Sequence, residues 1–268
     1  MLRILFFGDV VGEIGMHALE RELPRLRKSL SADFIIVNGE NVCKGKGLTF
    51  KEYRALVDAG ADCITLGNHY HGRDQIDDYI QKAGHLIRPL NLSTYYRGEG
   101  SATFEVDGYD VTVTNLLGRA FMKEEVEDPI SCFDEILEDS SHIHIVDYHA
   151  ESTSEKAIFA EVFRGRVSAV IGTHTHVQTA DESIRGGTGF LSDVGFCGIK
   201  DGIIGYDPQS VVSSLVYHSG ERFSIPEEGP SEIDFAIIDI DPDTGECKLL
   251  EAVRLLEGKE YVHVSHHL

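Results

Sequence analysis

Five short apolar runs in this chain each end in polar residues of the kind that bind metal ions, and that repetition constrains the fold more than any other feature. The run 4–7 leads to Gly8-Asp9, 34–37 to Asn38-Gly39-Glu40-Asn41, and 63–66 to Gly67-Asn68-His69. Further on, 143–147 leads to Tyr148-His149 and 169–171 to Gly172-Thr173-His174-Thr175-His176. Short apolar runs bounded by turn residues read as buried strands. Amphipathic stretches separate them. Ala18, Leu19, Leu23, Leu26 and Leu30 recur at helical spacing, and Thr49 with Glu52 forms a capping-box signature for a helix reaching Ala59. Further helices are predicted over 74–83, 130–138 and 154–164. Strands alternating with helices predict an α/β fold, in which the carboxyl ends of strands open onto one crevice. Polar residues far apart in sequence then converge there.

The middle and the end of the chain read differently. Phe104 and Val106, then Val111 and Val113, alternate on either side of Asp107-Gly108, which predicts a β-hairpin. Residues 123–128 read as an acidic surface loop. A strand at 189–191 and a helix at 209–217 precede two or three final strands, the last pair joined at Asp243-Thr244-Gly245. His263, His266 and His267 read as a solvated tail. With no internal repeat and no linker-like segment, a single domain over residues 1–268 is the expectation.

Charge narrows the function. The 24 Lys and Arg against 45 Asp and Glu leave a net charge of −21, and no basic cluster is available to neutralise a run of phosphates. Long nucleic acid is therefore not the expected partner. Five scattered cysteines without a C-x-x-C pair support neither a disulfide framework nor a thiolate zinc site. No apolar run reaches the roughly 18–20 residues of a membrane span, and Asp9 interrupts the first apolar run too early for a secretion signal. A cytoplasmic protein with no membrane partner is expected. The sequence leaves a homo-oligomer open.

The candidate ligands are Asp9, Glu40, Asn41, Asn68, His149, His174 and His176. Carboxylates, amide oxygens and imidazoles without thiolate suit iron, manganese or zinc. Seven donors exceed one tetrahedral site and fit two divalent ions that share a carboxylate. Two such ions about 3.5–4 Å apart can bridge a hydroxide and clamp a phosphate oxygen, so phosphoester hydrolysis is the predicted chemistry. In an extended chain, residues i and i+2 project to one side, which predicts that His174 and His176 reach neighbouring ions from a strand-like segment. His69, next to Asn68, is placed to protonate a leaving oxygen.

These strings resemble a known superfamily. Gly67-Asn68-His69 and Gly172-x-His174-x-His176 look like signature blocks of the calcineurin-like metallophosphoesterases. The first block lacks its usual histidine, reading Asp9-Val10-Val11, and the second carries Glu40 in place of an aspartate. With Gly45-Lys46-Gly47-Leu48-Thr49 and Asp147-Tyr148-His149-Ala150-Glu151, the set resembles the bacterial YmdB family of 2′,3′-cyclic-nucleotide 2′-phosphodiesterases along essentially the whole chain. The resemblance implies a four-layer α/β/β/α sandwich and a binuclear centre, with iron as the metal and manganese as the alternative. It implies that Asp9, Glu40, Asn41 and His176 hold one ion. Glu40 would bridge to a second, completed by Asn68, His149 and His174, and His69 would be the proton donor. The substrate implied is a small cyclic nucleotide opened to a 3′-nucleotide.

Two other readings remain beside it: a metallophosphatase of different substrate range, such as a phosphomonoesterase, and a regulatory protein whose metals sense rather than catalyse. The Gly39–Gly47 stretch lacks the spacing and the Ser/Thr of a P-loop. Gly8-x-x-x-Gly12-x-x-Gly15 lacks the opening of a dinucleotide fingerprint. Lys46 and Arg119 could contact a substrate phosphate but read as surface or structural residues, and Asp147 and Asp193 read equally as carboxylates that orient a ligand imidazole and as partly buried strand-end acids; all four are left outside the predicted site. Two divalent ions would add +4 to the −21 of the chain, which makes the crevice locally attractive to phosphate within an acidic molecule.

Overall fold

The computed structural model describes residues 1–93, 95–257 and 262–263. In chain order the strands are β1 (Leu2–Phe7), β2 (Asp9–Val10), β3 (Phe34–Asn38), β4 (Cys63–Thr65), β5 (Ser101–Val106), β6 (Tyr109–Leu117) and β7 (Ile143–His149). There follow β8 (Ala169–Thr173), β9 (Ser183–Arg185), β10 (Thr188–Leu191), β11 (Phe196–Ile199), β12 (Ser231–Ile240), β13 (Cys247–Leu256) and β14 (Val262–His263). The helices are α1 (Gly12–Leu30), α2 (Phe50–Ala59), α3 (Ile76–Tyr79), α4 (Pro129–Leu137), α5 (Thr153–Val162) and α6 (Pro208–Leu215).

Two mixed sheets stack face to face. The first runs β14-β13-β12-β1-β3-β4, with β11 bridging β12 to β2, and the second runs β5-β6-β7-β8-β10-β9. Strand alternation assigns each face. On β1, Leu5 and Phe7 pack with Leu19, Leu23 and Leu26 of α1, whereas Ile4 and Phe6 face the second sheet and meet Val111, Val113, Ile143 and Ile145. On β7, Val146 and Tyr148 pack beneath Phe159 of α5, Phe163 just past its end and Phe133 of α4. Three apolar layers thus separate four structural layers. The fold is the α/β/β/α sandwich of the metallophosphoesterase type.

Local chemistry explains most element boundaries. Asp128, Ser152 and Asp207 each accept a hydrogen bond from the third residue of the helix that follows, the N-capping geometry that opens α4, α5 and α6. At α2 the Thr49 N–H donates to the Glu52 carboxylate at 2.8 Å, the reciprocal half of a capping box. Asp107 and Gly108, with φ of 50° and 84°, form the two-residue turn of the β5–β6 hairpin.

Two predictions are corrected. The helix expected over 74–83 is reduced to the four residues of α3 and a 3₁₀ turn at Ile80–Lys82. The backbone closes around α3 through i to i+3 bonds, Asp77 N–H to Asp74 O at 3.3 Å and Ala83 N–H to Ile80 O at 3.1 Å, so the segment winds as tight turns, and beyond Ala83 the chain runs along the edge of β4, where the Ile87 N–H donates to the Ile64 carbonyl at 2.9 Å. His263 lies not in a tail but in β14, whose backbone pairs with β13 opposite Val253. His266 and His267 lie outside the described residues.

Candidate metal centre

The layer between the sheets changes character along its length. It is apolar until the carboxyl ends of β3, β4, β6, β7 and β8, where the same inward parity delivers Asn38, Thr65, Asn115, Asp147, His149 and Thr173, all buried. Asn38 Nδ2 donates to Asp147 Oδ2 at 3.1 Å across the two sheets, and the Thr173 hydroxyl donates to Asp147 Oδ1 at 2.7 Å. Above this floor the strand-end residues converge. Asp9, Glu40 and Asn41 come from the first sheet and His149 from the second, each no more than 3% exposed. His176 is nearly as buried, while Asn68, His69 and His174 are half-buried.

Distances draw four of these residues into one cluster. His149 Nε2 lies 3.0 Å from Asn68 Oδ1, 3.0 Å from His174 Nδ1 and 3.2 Å from Glu40 Oε1. Glu40, His149 and His174 present their ligand atoms within 4.8 Å of one another. A second group is looser. His176 Nε2 lies 3.9 Å from Asp9 Oδ1, which is also 3.8 Å from His149 Nδ1. Asp9 Oδ1 and Asn41 Oδ1 are buried without a hydrogen-bond partner.

The partners of the imidazoles fix their tautomers. The Thr173 hydroxyl spends its proton on Asp147, so at 2.9 Å it accepts from His149 Nδ1. The Ile204 carbonyl, 2.9 Å from His176 Nδ1, accepts as well. Glu151 Oε2 lies 3.1 Å from His174 Nε2 and accepts its proton. Each ring is therefore held from behind by an oxygen, which turns its other nitrogen into the crevice, the arrangement usual for metal-ligating histidines. There the inward nitrogens meet amide and carboxylate oxygens, which can only accept. Orphaned buried acceptors around a common space fit cations.

Electrostatics give the same picture. Burial alone would lower the His149 pKa, but Glu40 and Asp9 more than offset it and raise it to about 9. Burial would raise Glu40, yet the charge of His149 beside it lowers it to about 2. His174 is lowered to about 3 by burial and by its neighbour His149. One imidazolium thus balances the carboxylates in the metal-free protein, and a divalent ion would replace that proton. Burial raises Asp9.

The structure brings Asp9, Glu40, Asn68, His149, His174 and His176 within 4 Å of one another in a connected set, leaves Asn41 next to Glu40 in the chain with its buried Oδ1 unpartnered, and sets His69 beside them, its backbone N–H donating to Glu40 Oε2 at 2.9 Å. One expectation about how they arrive is overturned. Residues 174–176 are not extended: His174 has φ 103° and His176 φ 61°, and the change of direction sends His174 Nδ1 to the His149 cluster and His176 Nε2 towards Asp9. Sequence reasoning passed over Thr173 and Glu151 as supports and left Asp147 open between a carboxylate that orients a ligand imidazole and a strand-end acid; the structure gives it the first place, through Thr173. Asp147 stands in phase with His149 on β7, which was the available signal.

Comparison with known proteins places this geometry. Residues 5–253 match the model of a family described as YmdB-like protein. The chain is 39% identical over 256 residues, 94% of its length and 96% of the relative's, to a Bacillus subtilis protein named 2′,3′-cyclic-nucleotide 2′-phosphodiesterase. A crystal structure of a novel phosphatase from Mycoplasma pneumoniae superposes with a TM-score of 0.89 at 34% identity, covering 95% of this chain and 93% of that one. A hypothetical protein from Thermus thermophilus superposes equally well, with a TM-score of 0.89 at 33% identity over 96% of this chain and 100% of that one.

Proposed function

The chain belongs to the YmdB-like family, and from that membership and the clustered acceptors we propose that it is a binuclear metal-dependent phosphodiesterase that opens 2′,3′-cyclic nucleotides to 3′-nucleotides. The observation that carries the reading is the set of inward ring nitrogens of His149, His174 and His176 facing Asp9, Glu40 and Asn68. Glu40, Asn68, His149 and His174 would hold one divalent ion; Asp9, Asn41 and His176, sharing Glu40, would hold the other. Iron is the proposed metal, with manganese the alternative, both suited to nitrogen and oxygen donors without sulfur. When bound, two such ions supply an activated water and offset the negative charge of a phosphodiester.

The protein's own residues do the rest. Glu40, beside His149, also anchors His69 by accepting its backbone N–H, so the proton donor is fixed relative to the ligand that would be shared. His69 delivers a proton to the departing 2′-oxygen, which would otherwise leave as an alkoxide. Asp147, through Thr173, holds His149 in the tautomer that points Nε2 into the crevice. Ring strain and a single negative charge make the five-membered cyclic diester more open to attack than a phosphate monoester dianion.

The test is product identification. Anaerobically purified, iron-loaded protein is given 2′,3′-cAMP and followed by phosphorus NMR, with elemental analysis in parallel. Accumulation of 3′-AMP by protein carrying near two ions per chain is expected. An intact cyclic nucleotide beside a hydrolysed monoester would replace the proposal with the phosphomonoesterase reading, and metal binding without turnover on either would replace it with the regulatory one.

A further inference from the structure

Lys156 is a lysine where a hydrocarbon would be expected. It lies near the start of α5, on the helix face that also buries Phe159 and Ala160, and is 1% exposed. An apolar side chain of similar volume would cover the sheet there without the cost of desolvating an ammonium. Its stem passes over Gly172, where an added Cβ would come within 2.8 Å of Lys156 Cδ. Nζ then donates to the Thr173 carbonyl at 2.8 Å and to Asp193 Oδ2 at 2.9 Å.

Asp193 is equally committed. Also buried, it accepts the Thr175 N–H at Oδ2, 3.0 Å away, and the Gly195 N–H at Oδ1, 2.9 Å away. The ion pair therefore grips the chain on both sides of His174, by the carbonyl of the residue before it and the amide of the residue after it. His174 itself donates its N–H to Asp9 Oδ2 at 3.1 Å. Between these anchors and just beyond them stand the two histidines with positive φ, a conformation that non-glycine residues hold only where the surroundings impose it.

We propose that Lys156 and Asp193 are positioning residues, a buried ion pair that holds the backbone of residues 173–176 in the left-handed shape through which His174 and His176 present their nitrogens to the crevice. The inference rests on the metal reading given above. Neither residue is among the clustered donors, so their effect passes through the backbone. Losing the pair leaves the ligands in place chemically but lets residues 174–176 relax towards an ordinary strand end, where the two imidazoles no longer face separate donor groups.

The experiment compares metal-induced stabilisation in wild type, Lys156→Met, Asp193→Asn and the control Phe163→Leu, which thins the outer core away from the crevice. Asp193→Asn keeps the size of the native side chain and an acceptor oxygen, so it remains informative if Lys156→Met does not fold. Each protein is stripped of metal, checked by circular dichroism and melted with and without Mn²⁺; Mn²⁺ affinity is then measured by chelator competition. Wild type and Phe163→Leu should show the same rise in Tm with metal, whatever their metal-free values. Lys156→Met and Asp193→Asn should show a smaller rise and an affinity lower by about 10-fold or more, the usual effect of losing a support behind a ligand. If their rise and affinity match those of wild type, the pair is merely structural and the inference is overturned. A wild type that does not respond to Mn²⁺ or iron at all would overturn the metal reading itself, and the inference with it.

Discussion

His149 Nε2 and His174 Nδ1 face each other at 3.0 Å, each with its other ring nitrogen already tied to an oxygen. Two imidazole nitrogens bound to one divalent ion at about 2.0–2.1 Å sit about 2.9–3.4 Å apart in octahedral or tetrahedral geometry. The pair is thus spaced as ligands of a common ion. Replacing either residue with alanine should lower metal content from near two ions per chain to about one or fewer. Elemental analysis of the purified variants checks this; two retained ions in His149→Ala would remove it from the ligand set.

His69 should behave differently. His69→Ala should keep metal near two per chain while turnover of 2′,3′-cAMP falls by about 10²-fold or more, the usual contribution of a general acid. Parallel loss of metal and turnover would make His69 a ligand or a structural residue instead.

Gly67 is needed for its missing side chain. A Cβ there would collide with both His149 Nε2 and Glu40 Oε2. Gly67→Ala should fold, since the clash is confined to the crevice, but bind metal weakly or not at all. Circular dichroism together with chelator competition separates the two effects, and unchanged affinity would show that the crevice can widen freely.

His144 offers a pH test away from the metals. Burial lowers its pKa to about 3, and it is held neutral between Thr114 Oγ1 and Ser140 Oγ. Because the unfolded imidazole titrates near its ordinary 6.5, the unfolded chain binds a proton that the folded one refuses between pH 6.5 and about 3. Stability should therefore fall as the pH drops through that window. In His144→Gln the loss of urea midpoint between pH 7 and 4.5 should be smaller than in the parent protein. An equal loss would assign the acid sensitivity to other groups.

The candidate site was legible in the sequence because each proposed ligand stands where a strand runs out, and strand ends are marked by short apolar runs and turn residues. Asp9, Glu40, Asn68, His149 and His174 were found that way, without knowledge of which strands neighbour one another. What holds them was not legible. Lys156 reads as an ordinary helix residue until α5 is laid over Gly172, and Asp193 reads equally as an orienting carboxylate and as a strand-end acid until its carboxylate is seen to receive Thr175. The conformation of residues 174–176 was misread for the same reason: a local extended preference gave way to contacts made by residues nearly twenty positions distant. Likewise the helix predicted over 74–83 closes largely through i to i+3 bonds, as tight turns that deliver the chain to the edge of β4 at Leu86.

The origin of the donors has a mechanical corollary. Asp9, Glu40, Asn41 and Asn68 belong to or follow strands of the first sheet, whereas His149, His174 and His176 belong to or follow strands of the second. Oxygen and nitrogen thus arrive on opposite jaws, and any slide of one jaw against the other changes every oxygen-to-nitrogen spacing at once. Metal affinity becomes a gauge of how the sandwich is closed, and substitutions deep between the sheets, far from any ligand, should register on it.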